Sequence, residues 1–261
     1  MTVPGCERLA AASGVGVIAA RPTISAVGVV VPAHNEELLL PRCLDSVLDS
    51  LRSLAAPATV AVVLDRCSDR SVSVVESLIR KGMPVLALSA CRPGVGAARA
   101  AGADALLAAY GPDELWLATT DADSVVPTDW IARQLAHAAT GAHAIVGTVR
   151  VTDWSEHSPH VARRYARRYR NQTGHRHVHG ANLSFHAGAY LAAGGFGCES
   201  HDEDVGLIER LEQTGRPVRR VADLAVTTSA RRVGRAPAGF AMYLAQLAAM
   251  AERRGCDDVG R

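Results

Sequence analysis

Between residues 24 and 139, apolar and polar positions follow two alternating rhythms. Short, unbroken apolar runs are typical of strands buried in a parallel sheet, and apolar residues three or four apart are typical of amphipathic helices. The apolar runs predict strands at residues 24–31, 60–64, 84–88 and 115–119. The spaced pattern predicts helices at residues 40–54, 72–79, 95–110 and 127–139.

Each of these predicted strands runs into polar residues at its end. Strands that alternate with helices form βαβ units and a parallel sheet. Ligands of such open sheets bind beyond the carboxyl ends of the strands. We therefore expect an α/β fold, with a mostly parallel, Rossmann-like central sheet between flanking helices and a nucleotide site along one edge.

The second half of the chain is less regular. The predicted elements are a strand at 142–151, a basic helix at 163–170, a helix opened by acids at 202–204, an extended segment at 218–228 and a helix at 240–250. His175, His177 and His179 alternate, so on a strand they would share one face. Their role is left open between structure and function. The arginines of 163–170 form either a solvated face or a surface for an anionic acceptor or membrane.

Composition narrows the class of protein. Hydrophobic residues make up 48% of the chain, and a formal net charge of +2 argues against a broadly basic nucleic-acid binder. The six cysteines include no C-x-x-C pair, which favours reduced thiols and a cytoplasmic location. The apolar stretch 10–20 is shorter than the about 20 residues of a membrane span. We expect residues 1–22 to be a flexible extension and the protein to have no membrane span.

The strongest chemical signal is the pair Asp121 and Asp123, which follows the predicted strand at 115–119. Two carboxylates this close together repel each other unless positive charge lies between them. A divalent cation that keeps positions open for phosphate oxygens fits this pattern. The alternative is a group of helix-capping residues, because Pro127 and Asp129 are typical of a helix start.

Six short motifs occur along the chain. They are 29–37 (VVVPAHNEE), 63–69 (VLDRCSD), 94–99 (GVGAAR), 121–123 (DAD), 180–183 (GANL) and 203–211 (EDVGLIERL). In this order they resemble family 2 glycosyltransferases of the GT-A fold, of the soluble bacterial type. Leu64 and Gly206 depart from that pattern, since acids are common at both places. The Gln-x-x-Arg-Trp signature of processive synthases is missing, which points to the addition of a single sugar.

The resemblance implies a nucleotide-sugar donor. The donor-binding residues that it implies are Pro32, Ala33, Asn35, Glu36, Asp65, Arg99, Asp121, Ala122 and Asp123. Those at the first strand end would border the nucleoside, Asp65 would contact the base or ribose, and Arg99 would face the diphosphate. Asp121 and Asp123 would hold the ribose and an Mg²⁺ or Mn²⁺ ion. Arg231 is a candidate diphosphate clamp, with a surface role as the alternative.

The resemblance makes Asp204 the catalytic base, with Asp202 and Glu203 as alternatives. A carboxylate there would take the proton of an acceptor hydroxyl that attacks the anomeric carbon opposite the leaving nucleoside diphosphate, which gives inversion. A UDP-sugar is the first expectation for the donor and a GDP-sugar the second. The acceptor is expected to be a small molecule or lipid-linked.

Two rival functions stay open. A sugar nucleotidyltransferase would need a glycine-rich, basic turn after the first strand, and residues 32–37 contain neither glycine nor a permanently positive residue. A binding protein of the same fold without turnover would be expected to lack the carboxylates, which are present.

These expectations divide the chain into four parts. Residues 1–22 are the extension, 23–150 the nucleotide-sugar-binding half, 151–240 the acceptor-binding half with the catalytic base, and 241–261 a C-terminal helix and tail. The two halves are expected to be fused into one body. The apolar face of the last helix either packs within the chain or forms a homodimer.

Overall fold

The computed structural model describes residues 21–197, 202–234 and 239–257, and side chains up to residue 250. Nearly all of the expected 1–22 extension, His201 and the end of the C-terminal tail lie outside these ranges. Within them, seven strands form one sheet and two more form a small second sheet. No helix in the described ranges is long and apolar enough to cross a membrane.

Strands alternate with helices through the first half, as the apolar rhythm predicts. The strands are β1 (Ala26–Ala33), β2 (Ala58–Leu64), β3 (Val85–Ser89), β4 (Leu115–Thr119), β5 (Ala144–Val146), β6 (Val149–Arg150), β7 (Leu183–His186), β8 (Val218–Arg220) and β9 (Val226–Thr227). The helices are α1 (Leu40–Leu51), α2 (Ser71–Arg80), α3 (Val95–Tyr110), α4 (Trp130–Ala139), α5 (Pro159–Arg168), α6 (Ala187–Ala192), α7 (Glu203–Gln213) and α8 (Phe240–Asp257). A 3₁₀ turn (Gly180–Asn182) precedes β7.

The large sheet has the strand order β3-β2-β1-β4-β7-β5-β8. β3, β2, β1 and β4 are parallel to one another, β5 and β8 are parallel, and β7 runs antiparallel to both β4 and β5. The expected mostly parallel α/β architecture is therefore confirmed. The registers pair Ala33 with Leu64 and Val30 with Thr119, so the carboxyl ends of β1, β2 and β4 share one edge.

The core has two layers, one on each face of the sheet, and β1 contributes to both. Val27, Val29 and Val31 pack in the layer that contains α1, whereas Val30 packs in the layer that contains α3. α3 lies unusually close to the sheet, because a Cβ atom at Gly102 would be 2.5 Å from Val30 Cγ1. The small residues of α3 thus bring its N-terminal turn close to the ends of β1 and β2.

The strand predicted at 142–151 is interrupted at Gly147, so β5 belongs to the large sheet and β6 to the small one. The Asn182 side chain closes the break. Its Nδ2 donates to Thr148 O at 2.8 Å, and its Oδ1 accepts the indole N–H of Trp130 at 3.0 Å. A Cβ atom at position 147 would overlap this amide, so glycine makes room for it.

The histidine segment at residues 175–179 is extended but belongs to no strand. Its alternate side chains nevertheless lie side by side. The ring centroids are 5.7 Å apart for His175 and His177 and 6.1 Å apart for His177 and His179, and Tyr169 stacks on His177 at 4.0 Å. No strand forms at these residues, yet the alternate spacing still places the three rings on one side.

Candidate active site

Most of the predicted site residues lie along the edge where β1, β2 and β4 end. They are Pro32, Ala33, Asn35, Glu36, Asp65, Asp121, Ala122 and Asp123. Two elements of the second half reach the same edge. Arg231, in the segment after β9, contacts Asp123, and Glu203, at the start of α7, contacts Arg99. The fold therefore brings motifs about 200 residues apart in sequence into one site.

Glu36, Asp121 and Asp123 form a group that we call the carboxylate cluster. Arg231 bridges two of its members, with Nη1 2.7 Å from Glu36 Oε1 and Nη2 2.8 Å from Asp123 Oδ2. Burial raises the pKa of Asp123, Arg231 lowers it, and the charges of Asp121 and Glu36 raise it, so that the net value is about 7. The cluster therefore holds more negative charge than Arg231 neutralises.

Arg99 is buried behind this cluster, with 3% of its surface exposed. One Nη atom lies 2.5 Å from Asp121 Oδ1, and the other forms an ion pair with Glu203. A Cβ atom at Gly180 would overlap the guanidinium, and one at Gly96 would lie 3.1 Å from Glu203 Cβ, so both glycines make room for the pair. The resemblance implied a diphosphate contact for Arg99. Its burial between two carboxylates instead favours a positioning role.

The three acids that open α7 have different surroundings. Asp202 is exposed and has a left-handed backbone, with φ of 60°. Glu203 is buried against Arg99, and burial raises its pKa although Arg99 lowers it. Asp204 is half-buried, and its Oδ2 accepts the backbone N–H of Gly180 at 2.6 Å. Asp204 is thus both oriented by a hydrogen bond and accessible, which is what a general base requires.

His179 lies next to Asp204 and is held by Tyr169. Its Nε2 is 3.0 Å from the Tyr169 hydroxyl, which also accepts the backbone N–H of Val149 at 2.9 Å. Burial lowers the pKa of His179 to about 4, although the charge of Asp204 raises it. His179 is therefore neutral at pH 7. The sequence motifs gave no signal for Tyr169, because its partners come from β6 and from the histidine segment.

Asp65 and Asn35 follow the ends of β2 and β1, and hydrogen bonds to neighbouring loop residues hold both side chains. Asp65 accepts Arg66 Nε–H at 2.8 Å and the backbone N–H of Gly94 at 3.0 Å. Burial raises the pKa of Asp65, but these two hydrogen bonds outweigh it, so the net shift is downward. Asn35 Oδ1 accepts the backbone N–H of Ser68 at 2.7 Å. Both side chains are thus pre-oriented at the strand ends.

The apolar members of the predicted donor site have a different place. Ala33 and Ala122 are each 3% exposed and pack in the core, so only their main chains can contact a ligand. Pro32 is half-buried at the end of β1. These three residues form part of the carboxyl edge of the sheet. Side-chain contacts with a ligand would come from the polar residues beside them.

The donor set fits a divalent cation that is completed by a substrate. Among the described residues, no group of three His, Cys, Asp or Glu side chains could hold a metal ion alone. Mg²⁺ is usually bound by one or two carboxylates together with substrate phosphates. Asp121 and Asp123 supply two such carboxylates, and the raised pKa of Asp123 indicates a site that gains from added positive charge.

Comparison with known proteins agrees with this arrangement. A family model described as glycosyl transferase family 2 matches residues 28–192. No curated protein matches the chain significantly.

Solved structures share the fold at low sequence identity. S. aureus TarS 1–349 in complex with UDP-GlcNAc is 14% identical, with a TM-score of 0.62, and the match covers 86% of this chain. The chain spans 66% of that TarS fragment, less than two thirds of its length. The mannosyltransferase PcManGT from Pyrobaculum calidifontis, in complex with GDP-Man and Mn²⁺, is 20% identical, with a TM-score of 0.59, over 92% of this chain and 76% of its own. GalNAc-T7 with UDP, GalNAc and Mn²⁺ is 16% identical, with a TM-score of 0.56, over 78% and 44%.

Proposed function

The chain belongs to glycosyl transferase family 2, and on that basis we propose that it moves one sugar from a nucleotide-sugar donor to an acceptor hydroxyl, with Mg²⁺ or Mn²⁺ and with inversion. One observation carries the proposal. The carboxylate cluster, which is under-neutralised by Arg231, lies at the carboxyl edge of the sheet and is joined through Arg99 to the helix that bears Asp204. Donor and acceptor chemistry therefore meet at one place.

The donor lies along the edge in this proposal. The nucleoside sits between the ends of β1 and β2, where Asp65 contacts its base or ribose and Asn35 and Glu36 border it. A UDP-sugar is the first candidate and a GDP-sugar the second. Solved neighbours bind UDP-GlcNAc and GDP-Man, which supports both candidates without deciding between them.

The diphosphate lies over the carboxylate cluster. Asp121 and Asp123 would hold the cation, which would supply positive charge to the leaving nucleoside diphosphate. Arg231 is released from Asp123 and turns its two Nη groups to the diphosphate oxygens, a geometry that guanidinium groups favour. Arg99 stays buried and keeps Asp121 in line with α7.

Asp204 acts on the acceptor. Its carboxylate removes the proton from the acceptor hydroxyl as that oxygen attacks the anomeric carbon, while the bond from this carbon to the diphosphate oxygen breaks. Because attack comes from the face opposite the leaving group, the anomeric configuration inverts. Asp204 Oδ2 accepts the backbone N–H of Gly180 at 2.6 Å and Oδ1 accepts that of Val205 at 2.8 Å, so the carboxylate is held in place to receive the proton.

The division of the chain into a donor half at 23–150 and an acceptor half at 151–240 is part of the proposal, as is a cytoplasmic location. The described cysteines Cys43, Cys67 and Cys91 are free, which supports a reducing compartment. The apolar face of α8 packs on α5 within the chain, so a homodimer would need another surface.

A direct test is calorimetric titration of UDP- and GDP-sugars into the protein, with and without Mn²⁺, followed by assay for donor hydrolysis. We expect one nucleotide class to bind, with Mn²⁺ strengthening the binding. The proposal fails if no nucleotide sugar of either class binds in the presence of the metal. Release of pyrophosphate from a nucleoside triphosphate and a sugar phosphate would favour the nucleotidyltransferase. Donor binding without hydrolysis or transfer to any acceptor would favour the binding protein.

A further inference from the structure

The outer surface of α5 is strongly basic and takes no part in the proposed reaction. We define the arginine face as the four arginines of α5 and the one just after it: Arg163, Arg164, Arg167, Arg168 and Arg170. All are exposed except Arg164, which is half-buried. Among the described side chains, none of the five forms an ion pair, whereas exposed arginines on other helices do. Unneutralised positive charge is therefore concentrated on one side of a chain whose net charge is only +2.

The packing of α5 fixes this face outward. Val161, Tyr165 and Tyr169 point inward and pack with Leu244 and Leu247 of α8. With about 3.6 residues per turn, positions 163 and 167 lie opposite that buried stripe. The arginine face therefore cannot turn inward unless this small core is lost.

An apolar side chain lies beside the arginines. Arg164 Nη1 donates to Met250 O at 3.3 Å, and Arg168 Nη1 lies 3.7 Å from Met250 Sδ. Met250 is 43% exposed. The surface thus combines several cationic groups with an exposed, flexible thioether.

We propose that the arginine face, together with Met250, docks the protein on an anionic lipid bilayer. Basic residues next to an anionic leaflet are attracted to it over about a Debye length. Long arginine side chains can keep their guanidinium groups at the phosphates while their stems and Met250 enter the boundary of the acyl chains. This inference goes beyond the proposed function and does not depend on it.

The same surface is poorly suited to nucleic acid. Proteins that bind single strands stack bases on exposed aromatic rings. Here Tyr165 and Tyr169 are only 7% and 9% exposed, so the rings beneath the arginines offer no such platform. A small soluble acceptor is disfavoured as well, because the outer face of a helix is convex and cannot enclose it.

The arginine face is joined to the active site on two sides. Tyr169 at the end of α5 contacts His179, which lies beside Asp204. In the loop before α5, Glu156 accepts the backbone N–H of Arg232 at 3.0 Å, next to Arg231. The helix that bears the arginine face is therefore a neighbour of the proposed active site.

The test is flotation of the full chain with vesicles of phosphatidylcholine alone, and with vesicles containing about one-third phosphatidylglycerol, a composition with a strong negative surface potential. We expect binding only to the anionic vesicles, weakened by added salt. The triple variant Arg163→Gln/Arg167→Gln/Arg170→Gln should bind on the order of 100-fold more weakly, because each basic residue near such a surface changes partitioning about fivefold.

The control variant Arg52→Gln/Arg80→Gln/Arg133→Gln removes the same charge from exposed helix positions elsewhere and should bind like the parent. The variant Arg163→Lys/Arg167→Lys/Arg170→Lys keeps the charge and should retain most of the binding to anionic vesicles. Equal flotation of parent and triple glutamine variant would overturn the inference, and so would equal binding to both vesicle types. Binding of single-stranded RNA but not of vesicles would assign the face to nucleic acid. Donor titration of the same variants in solution should be unchanged, which separates this result from a failure of the proposed function.

Discussion

At the scale of single residues, two arginines neutralise the acidic site at different depths. The side chain of Arg99 is 4% exposed and that of Arg231 is 21% exposed. If a buried guanidinium leaves two carboxylates, their negative charges stay buried without an ion-pair partner, which is costly. Arg231 can exchange its carboxylates for other anions at the surface of the cleft. We therefore assign a permanent role to Arg99 and an exchangeable one to Arg231.

This difference predicts the effect of Arg231→Gln in the protein without metal. Loss of the guanidinium removes the ion-pair partner that Glu36 and Asp123 share, so the free energy of unfolding should fall by about 2 kcal/mol, somewhat less than for a fully buried pair. Mn²⁺ should then raise the melting temperature of the variant more than that of the parent, because the ion no longer competes with Arg231 for Asp123. The measurement is thermal unfolding at about pH 8, where the carboxylates are ionised.

The matched control is Arg232→Gln, which changes the exposed neighbour of Arg231. We expect that variant to respond to Mn²⁺ as the parent does. Identical Mn²⁺ effects in all three proteins would mean that Arg231 and the cation do not share a site.

A second prediction at this scale concerns the base. Asp204→Asn keeps the shape of the side chain but cannot accept a proton, so kcat should fall about 10²–10⁴-fold while the donor dissociation constant changes less than about twofold. Rates and calorimetry measure the two effects separately. Asp202→Asn, two residues away and exposed, is the control. An equal loss of kcat in both variants would remove Asp204 from the role.

At the scale of elements, the break between β5 and β6 shows how one glycine serves two segments. The Asn182 amide needs the space in which a side chain at position 147 would lie. The glycine in α7 is different, because a Cβ atom at Gly206 would meet only the far end of the Arg210 side chain, at 3.2 Å. The same residue type is required in one element and dispensable in the other.

Two alanine substitutions test this contrast. Gly147→Ala should lower the free energy of unfolding by about 1–3 kcal/mol, because Asn182 must shift from its hydrogen bonds. Gly206→Ala should raise it by about 0.5–1 kcal/mol, since alanine loses less entropy than glycine in a helix. Urea unfolding of the two variants gives both values. A stable Gly147→Ala protein with an unchanged fold would show that Asn182 does not need the gap.

The histidine segment predicts a pH dependence. Burial lowers the pKa of His175 and His177 and lowers that of His179 to about 4. Such groups bind fewer protons in the folded than in the unfolded state below pH 6.5, so their contribution to stability is complete above that pH and is lost as the pH falls towards 4. Acidification from pH 7 to 5 should therefore cost the parent about 1–2 kcal/mol more than His179→Gln. If the free energy of unfolding changes equally with pH in the two proteins, the lowered pKa of His179 is contradicted.

At the scale of the whole molecule, Arg99 joins the carboxyl edge of the sheet to α7. It lies in α3, Asp121 follows β4, and Glu203 opens α7, so one side chain fixes three elements. The pair with Glu203 spans 104 positions of the chain. Such an ion pair can keep the proposed cation site aligned with Asp204.

Glu203→Gln tests this link. The variant removes one of the two ion-pair partners that Arg99 has among the described residues, so the free energy of unfolding should fall by about 3 kcal/mol, the lower end of values for a broken buried pair. Glu209→Gln removes an exposed acid from the same helix and should change it by less than about 0.5 kcal/mol. Chemical denaturation measures both. If the two variants are equally stable, Arg99 does not depend on Glu203.

Much of the fold could be predicted because its causes are local. The apolar rhythm from 24 to 139 gives β1 to β4 and α1 to α4 with ends that differ by only a few residues. Prediction failed where a distant residue decided the outcome. The single strand predicted at 142–151 is divided at Gly147, where the Asn182 side chain lies. The spacing of the histidines at 175–179 left their secondary structure open, because alternation does not reveal whether a neighbouring strand is present to pair with them.

The order of strands and helices, the parallel sheet and the acids at its carboxyl edge follow from residue type and spacing, since periodicity and strand-end chemistry act over a few residues. The tertiary structure alone decided which charges meet. Arg231 bridges Glu36 and Asp123, and Arg99 is buried between Asp121 and Glu203 instead of facing the cleft. Ion pairs between residues that are far apart in the chain depend on how elements pack, and no local pattern records that packing.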